Sequence, residues 1–233
     1  MKEIWKEPCI LSPSLICLDM CNLEEQVHKL EKAGIQMLHV DILDGHFSPS
    51  MPLGLDTVRQ LRARTNLQFD CHVMVTEQDY FVNELLDIGV EQITFHAETQ
   101  PHIDGMLNRI HAKGVRAGIA LKPSTSLSVL DYVLDKCDTV LLMLINPGYA
   151  FVKGEKQVPY AAHKIRDLRN RILNRGLDTK IEVDGRISPQ NIMDYGREDV
   201  DIFVTGSTCI DRADMKSSLE KLQELRTSVM GGK

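Results

Sequence analysis

The sequence lacks several features that would place it among membrane, secreted or nucleic-acid-binding proteins. No stretch of the chain approaches the ~18 consecutive apolar positions that a membrane-spanning helix needs. The formal net charge of the 233 residues is −6 and no basic run occurs, so no nucleic acid is expected as a partner. The N-terminal segment MKEIWKEPCILSPSL carries charges where a secretion signal would be apolar. We therefore expect a cytoplasmic protein that binds neither a membrane nor nucleic acid.

Closely spaced cysteines are also missing. The six cysteines are scattered along the chain and none of them forms a CxxC pair. The cysteine spacing therefore does not support a zinc-finger or a thiol-redox site. Scattered single cysteines are typical of reduced core residues in a cytosolic protein.

Short apolar runs alternate with amphipathic stretches from one end of the chain to the other. The predicted strands are CILSPSLI, MLHVDI, LQFDCHVMV, QITFHA, RAGIAL, TVLLMLI, KIEVDG and DIFVTG, and a helix is predicted after each, including one over 126–136. Such alternation implies parallel strands joined by crossover helices. Eight units in this length predict one α/β domain over residues 1–233, a single (β/α)8 TIM barrel.

The rival architecture is an open doubly wound sheet. That fold would usually carry a glycine-rich dinucleotide loop after its first strand. Here the first predicted strand is followed by CLDMCNLEEQ, which contains no such loop. The barrel is therefore the favoured architecture.

Polar side chains cluster near the ends of the predicted strands, where the active site of a barrel lies. Alternate residues of a strand point to the same side, as His39 and Asp41 do in the second strand. Asp70 and His72 are related in the same way in the third strand, and Asp184 ends the seventh. A lone strand histidine is more often a hydrogen-bonded core group, and a lone aspartate more often a helix cap. Two histidines, His39 and His72, and two aspartates, Asp41 and Asp184, lie on three strand ends and instead predict one divalent metal ion. Such ligands suit zinc, iron, manganese or cobalt.

Asp41 and Asp184 could also act directly on a bound sugar. One carboxylate would remove a proton beside a carbonyl group, and the other would return a proton to the opposite face. A metal ion on the carbonyl oxygen would stabilise the resulting enediolate. This chemistry inverts a stereocentre beside a ketone. Met74 and Met143 are predicted near the same rim, where they could equally be plain core residues.

Short glycine-containing turns follow the last three predicted strands. Their sequences are NPGYA, DGRIS and TGSTC. Backbone N–H groups in such turns and at helix starts bind phosphate, and the loops after strands seven and eight often do so in barrels. Because turns use glycine in any case, the location of these turns carries most of this prediction.

At this point the residues resemble the ribulose-phosphate 3-epimerase family. The resemblance spans nearly the whole chain and rests on SPSLICLD, HVDILDGHFSP, DCHVMV, TFHAE, LLMLINPG, EVDG and VTGS, in the family's order. It implies a barrel that epimerises a small phosphorylated sugar at C3, converting D-ribulose 5-phosphate to D-xylulose 5-phosphate. It implies one divalent metal ion and an acid/base pair of Asp41 and Asp184. The implied metal ligands are His39, Asp41, His72 and Asp184.

The other residues implied by the resemblance surround the substrate. Ser14 would touch it near the reacting centre, and Met74 and Met143 would line the space above that centre. The phosphate would be surrounded by Gly148, Gly185, Gly206 and Ser207. We also expect a homo-oligomer.

The sequence departs from the family pattern mainly on the phosphate side. Leu43 replaces the methionine of DVMDG, and ICLD replaces LSAD. NPGFGGQ becomes NPGYAFVKGEKQ, with Ala150 and Phe151 in place of Gly-Gly, and VDGG becomes VDGR. We predict that the guanidinium of Arg186 partly replaces the lost phosphate contacts, although it could instead point into solvent. These changes affect the predicted identity of the sugar more than the predicted reaction, and D-allulose 6-phosphate is the alternative substrate.

Two other classes of function fit a barrel of this shape. A decarboxylase of sugar acids or nucleotides would normally place a lysine among the strand-end carboxylates, and none stands beside Asp41, His72 or Asp184. A non-catalytic sugar-phosphate sensor would be free to lose the two proton-transfer aspartates, and both are retained. The epimerase is therefore the favoured function.

Overall fold

Eight parallel strands surround the centre of the molecule. The computed structural model describes residues 3–149, 152–196 and 199–231. The strands are β1 (Ile10–Pro13), β2 (Met37–Leu43), β3 (Gln68–Met74), β4 (Gln92–His96), β5 (Arg116–Leu121), β6 (Thr139–Met143), β7 (Lys180–Asp184) and β8 (Ile202–Thr205). All eight predicted strands are confirmed, with ends that differ from the prediction by a few residues.

The strands form a barrel rather than an open sheet. Each strand from β2 to β7 pairs in parallel with the next one along the chain, and β8 pairs with β1. A parallel bridge between Ser14 and His39 brings β1 against β2 and closes the circle. The register sets Asp41 beside His72 across β2 and β3, and Met143 beside Asp184 across β6 and β7. The predicted TIM barrel is therefore confirmed.

Helices cover the outside of the barrel. They are α1 (Leu23–Lys32), α2 (Leu55–Arg62), α3 (Gln78–Ile88), α4 (Ile103–His111), α5 (Ala161–Asn174), α6 (Pro189–Tyr195) and α7 (Met215–Gly231). Their apolar faces pack on the outward side chains of the strands, among them Phe69, Phe95 and Phe203, which are completely buried. Within the described ranges, no helix combines the length and apolarity required to cross a bilayer.

The helix predicted over 126–136 is wrong. This segment instead forms two 3₁₀ turns, Leu127–Leu130 and Leu134–Lys136. Leu127, Leu130, Val133 and Leu134 are all buried, and this spacing is also that of the apolar face of an amphipathic α-helix. The Ser126 hydroxyl accepts a hydrogen bond from the backbone N–H of Ser128, which favours this tighter turn.

The end of the barrel at the strand N-termini is closed by an N-terminal 3₁₀ helix, Glu3–Lys6. Trp5 is only 4% exposed and packs with Ile10, Met37 and Ile202, which lie at or near the starts of their strands. The guanidinium of Arg116 lies over the Trp5 ring at 4.2 Å from its centre. The opposite end, at the strand C-termini, contains the cavity lined by Asp41 and Asp184.

Candidate functional site

Four side chains converge at the C-terminal end of the barrel. The four residues are His39, Asp41, His72 and Asp184. Each offers one potential ligand atom, and these four atoms all lie within 4.8 Å of one another. Asp41 Oδ1 is 3.3 Å from His39 Nε2 and 3.4 Å from His72 Nδ1. Asp184 Oδ2 is 3.9 Å from His72 Nδ1. The structure thus brings together all four residues that the sequence predicted as metal ligands.

Two nitrogen atoms in this cluster are buried and unsatisfied. His39 Nε2 and His72 Nδ1 have no hydrogen-bond partner within the described part of the chain, and a buried polar atom without a partner is costly. Their other ring nitrogens are held, because His39 Nδ1 lies 2.8 Å from Asp70 Oδ2 and His72 Nε2 lies 3.0 Å from His96 Nε2. Two histidine lone pairs and two carboxylates facing one point fit a divalent metal ion.

The two aspartates have different electrostatic surroundings. Burial alone would raise the pKa of Asp41, but the charge of His39, together with that of His72, outweighs burial and holds that pKa well below its usual value. Burial and the negative charge of Asp41 raise the pKa of Asp184 above its usual value. Two carboxyl groups whose pKa values are pushed apart suit opposite proton-transfer roles.

A second polar group lies deeper in the barrel. His39, Asp70 and Glu182 are completely buried, and Glu182 Oε1 is 3.2 Å from His39 Nδ1. Asp70 Oδ1 accepts a hydrogen bond from Gln92 Nε2 at 2.8 Å. Burial and the charge of Asp70 raise the pKa of Glu182 well above its usual value, which favours its protonated form. These atoms could also hold a metal, but we interpret Asp70, which is hydrogen-bonded to both His39 and Gln92, as the support beneath His39.

A polar row on β4 supports the other histidine. His96 Nδ1 lies 2.8 Å from Glu98 Oε2, just beyond the end of the strand. Burial lowers the pKa of His96 to about 4, so its ring is neutral at pH 7. Burial opposes ionisation of Glu98, but the hydrogen bond from His96 outweighs it and, with other hydrogen bonds, lowers that pKa to about 2. Both residues belong to the TFHAE stretch at the end of the fourth predicted strand, and the sequence alone gave them no role.

The sharp turn after β2 is stabilised by one side chain. Asp44 Oδ1 accepts hydrogen bonds from the backbone N–H groups of His46 and Phe47, each at 2.8 Å. Asp44 Oδ2 accepts from the backbone N–H of Thr76 at 2.7 Å, which ties the turn to the end of β3. The loop after β2 is thereby fixed beside the four-residue cluster.

The residues predicted to contact substrate line one cavity above the cluster. Asp41 and Asp184 form part of its wall together with Leu43 and Ile145. The predicted contacts that line it are Ser14, Met74, Met143, Gly148, Gly185, Arg186, Gly206 and Ser207. The Ser14 hydroxyl also donates a hydrogen bond to Asp41 Oδ2 at 2.8 Å, a positioning contact that sequence reasoning missed.

The glycines of this wall also have packing roles. Gly148 has φ +78°, and a Cβ added there would collide with the Ser48 side chain. Gly185 has φ +115°, and its added Cβ would lie 2.8 Å from the backbone nitrogen of Ile145. Glycine is therefore required at both positions by the backbone alone. Contact with a phosphate group stays a prediction.

Arg186 occupies an unusual backbone position on the same wall. Its φ is +52°, a left-handed conformation that is costly for a residue with a Cβ. Its Nη2 donates to the carbonyl of Val152 at 2.9 Å, while its buried Nε has no partner among the residues described. Gln157 Nε2 donates to the carbonyls of Gly185 and Arg186 at 2.8 and 3.1 Å, which holds the turn in place. Ala150 and Phe151, whose replacement of Gly-Gly motivated the Arg186 prediction, lie outside the described residues.

Known proteins resemble this chain in sequence and in fold. The Escherichia coli K12 protein named ribulose-phosphate 3-epimerase is 35% identical over 215 residues, which cover 92% of this chain and 94% of the relative. The Arabidopsis thaliana protein named ribulose-5-phosphate-3-epimerase, chloroplastic, is 34% identical over 220 residues, which cover 94% of this chain and 77% of the relative. The tryptophan synthase alpha subunit of Legionella pneumophila superposes with a TM-score of 0.63 at 17% identity and covers 99% of each chain, which is a likeness of fold alone.

A family-wide sequence comparison agrees with the individual relatives. The match to the ribulose-phosphate 3 epimerase family extends over residues 10–210, from the first residue of β1 to beyond the end of β8. It therefore includes every strand of the barrel and each of the four clustered side chains. The chain belongs to the ribulose-phosphate 3-epimerase family.

Proposed function

We propose that the protein is an isomerase that interconverts D-ribulose 5-phosphate and D-xylulose 5-phosphate by inverting carbon 3. The observation that carries the proposal is the pair Asp41 and Asp184, which come from different strands and both line the cavity over the four-residue cluster. Inversion needs one group to remove a proton from one face of the carbon and another to deliver a proton to the opposite face. Membership of the epimerase family supports the same reaction.

Asp41 and Asp184 act as the acid/base pair in this proposal. Asp41 is held in place by the Ser14 hydroxyl, and its low pKa keeps it ionised. Asp184 has the raised pKa, which favours a proton on its carboxyl group. In the opposite direction of the reaction the two aspartates exchange roles. Met74 and Met143 line the cavity between them and keep water from the reacting carbon.

His39, Asp41, His72 and Asp184 would hold one divalent ion, which we propose to be zinc, iron, manganese or cobalt. When bound, the ion supplies a positive charge that makes the proton beside the carbonyl group acidic enough to be removed. The unsatisfied His39 Nε2 and His72 Nδ1 support this assignment, because a cation would satisfy both buried nitrogens.

Arg186 and the glycine turns would bind the phosphate group. Gly148, Gly185, Gly206 and Ser207 line the side of the cavity that is furnished by the loops after β6, β7 and β8. The buried Arg186 Nε, which has no described partner, supports a charged contact with phosphate oxygens at this wall. Because the sequence of the loop between β6 and α5 departs from the family pattern, D-allulose 6-phosphate is the second candidate sugar.

The deciding experiment is to incubate the protein with a panel of ketose phosphates in deuterated water. D-ribulose 5-phosphate should exchange its C3 hydrogen and form D-xylulose 5-phosphate, both measurable by NMR. Protein carrying Asp41→Asn serves as the matched control. Faster exchange with D-allulose 6-phosphate would change the assigned sugar and leave the reaction intact. Absence of exchange with every ketose phosphate, in protein with bound metal, would refute the proposed reaction.

We propose further that the protein works in the cytoplasm as a homo-oligomer. Met51 and Tyr132 are 72% and 94% exposed, and large apolar side chains on the surface are available for contacts between copies. Light scattering coupled to gel filtration would measure the oligomeric state directly, and a monomeric mass at micromolar concentration would contradict it.

A further inference from the structure

His96 and Glu98 form a hydrogen-bonded row behind His72 and have no part in the reaction as proposed above. We propose that His96 and Glu98 position the metal ligand His72 by fixing which of its ring nitrogens carries the proton. The inference rests on the metal site of the proposed function and extends it to residues behind that site. It is carried by the three side chains and the hydrogen bonds between them.

The orientation of His72 leaves only one nitrogen for a cation. Its Nδ1 faces Asp41 Oδ1 at 3.4 Å and Asp184 Oδ2 at 3.9 Å. Its Nε2 points away from that cluster and lies 3.0 Å from His96 Nε2. A cation shared with Asp41 and Asp184 would therefore be bound through Nδ1.

The positions of the hydrogens follow from this choice. A neutral ring that binds a cation through Nδ1 carries its proton on Nε2. Nε2 of His72 then donates to His96 Nε2, which must accept. The proton of His96 is consequently on Nδ1, which donates to Glu98 Oε2 at 2.8 Å. With each member of the row in one protonation form, every hydrogen bond has a donor and an acceptor.

The row is held rigidly by its neighbours. His72 and His96 are completely buried, and the ring of Phe47 packs 4.6 Å from that of His96. Glu98 Oε1 is occupied separately, because it accepts hydrogen bonds from the backbone N–H of Lys122 at 2.7 Å and from the Thr125 hydroxyl. Oε2 of Glu98 is thereby fixed in the direction of His96.

The alternative is that His96 is a core residue whose two ring nitrogens are hydrogen-bonded without any effect on metal binding. In that case its replacement would affect folding stability without a specific effect on metal binding. The two interpretations differ in the affinity for metal, because groups that orient a ligand histidine typically change metal affinity by roughly 10–100-fold when they are removed.

The test compares the Zn²⁺ affinity of purified, metal-stripped variants by competition with a chromogenic chelator. His96→Phe keeps a ring in the space but removes the acceptor, so it should bind Zn²⁺ roughly 10–100-fold more weakly. His96→Gln retains a carbonyl acceptor and should recover most of the affinity. Thr179→Val removes a buried hydroxyl that donates to the carbonyl of Leu134, outside the row, and serves as the control, with affinity unchanged.

A second measurement addresses the hydrogens themselves. NMR of the Zn²⁺-loaded protein with ¹⁵N-labelled histidine should show His72 protonated on Nε2 and His96 on Nδ1. If His96→Phe does not fold, Glu98→Ala replaces it, because Glu98 is partly exposed, and roughly tenfold weaker binding is expected. Wild-type affinity in folded His96→Phe, or the opposite protonation pattern, would overturn the positioning role alone. Failure of the wild-type protein to bind any divalent ion would instead overturn the metal site, and this inference with it.

Discussion

The two sides of the cavity are built in different ways. On the side of β2, β3 and β4, completely buried side chains such as His39 and His72 are held by partners deeper in the barrel. On the side of the loops after β6, β7 and β8, the wall is made of backbone turns, and the partly exposed Arg186 is the charged side chain that lines it. The first side holds its side chains through buried hydrogen bonds, while the second can change with loop sequence at little cost to the barrel.

This contrast separates the reaction from the choice of substrate. The departures from the family pattern concentrate in NPGYAFVKGEKQ and VDGR, whereas HVD, DCHVMV and EVD retain every position proposed for metal binding and proton transfer. A change on the buried side alters groups that must act together, and a change on the loop side alters recognition.

Removal of metal should abolish turnover. Protein dialysed against a strong chelator should lose activity with D-ribulose 5-phosphate, and addition of zinc, iron, manganese or cobalt should restore it, because the uncompensated carbonyl group is a poor electron sink. Metal content measured by elemental analysis should fall and recover in parallel. Full activity in protein without bound metal would show that the reaction does not need a metal ion at the four-residue cluster.

Asp41→Asn and Asp184→Asn should each reduce kcat by roughly 10²–10⁴-fold, because neither amide can transfer the proton. Both residues are also proposed metal ligands, so metal content must be measured with the rate. A variant that keeps its metal and loses its rate supports the acid/base role. A variant that keeps both its metal and most of its activity would exclude that aspartate from proton transfer.

Arg186→Ala should weaken binding of the phosphorylated sugar by about 1.5–3 kcal/mol, the range for a hydrogen bond to a charged group. The loss should appear in KM more than in kcat if the contact is equally strong in the ground and transition states. Lys153→Ala removes a nearby exposed cation and is the matched control. An equal loss with an unphosphorylated sugar, or unchanged kinetics, would leave Arg186 without a phosphate role.

The smallest expected effect separates the backbone of Arg186 from its side chain. Because φ at this position is +52°, Arg186→Gly should be more stable than Arg186→Ala by about 1 kcal/mol. The two variants lack the same guanidinium and should have similar KM values. Urea unfolding monitored by circular dichroism would measure the difference, and equal midpoints would show that the turn relaxes freely.

The four-residue cluster was predictable from sequence because its placement follows two local regularities. Residues two apart in a strand share a side, and the C-terminal ends of parallel strands meet, so His39, Asp41, His72 and Asp184 could be grouped without knowing any distance. The supports beneath them were not predictable in the same way. Glu182 reaches His39 across the barrel interior, a contact that depends on barrel closure and on the strand register.

Loop geometry was harder to infer. The spacing of Leu127, Leu130 and Leu134 is that of an amphipathic α-helix, so the sequence pattern alone could not distinguish a helix from the two 3₁₀ turns that form. The positive φ of Arg186 is not encoded by its residue type, since arginine rarely adopts it. Its contact with the Val152 carbonyl depends on how the loop after β6 folds back.

The closed lower end of the barrel offers an optical signal that is independent of catalysis. Trp5 is the protein's single tryptophan, and it is buried against Arg116 at the end opposite the four-residue cluster. Intrinsic fluorescence excited at tryptophan wavelengths therefore reports the opening of that end alone. Loss of activity that precedes the red shift in emission during denaturation would show that the two ends of the barrel separate into units of different stability.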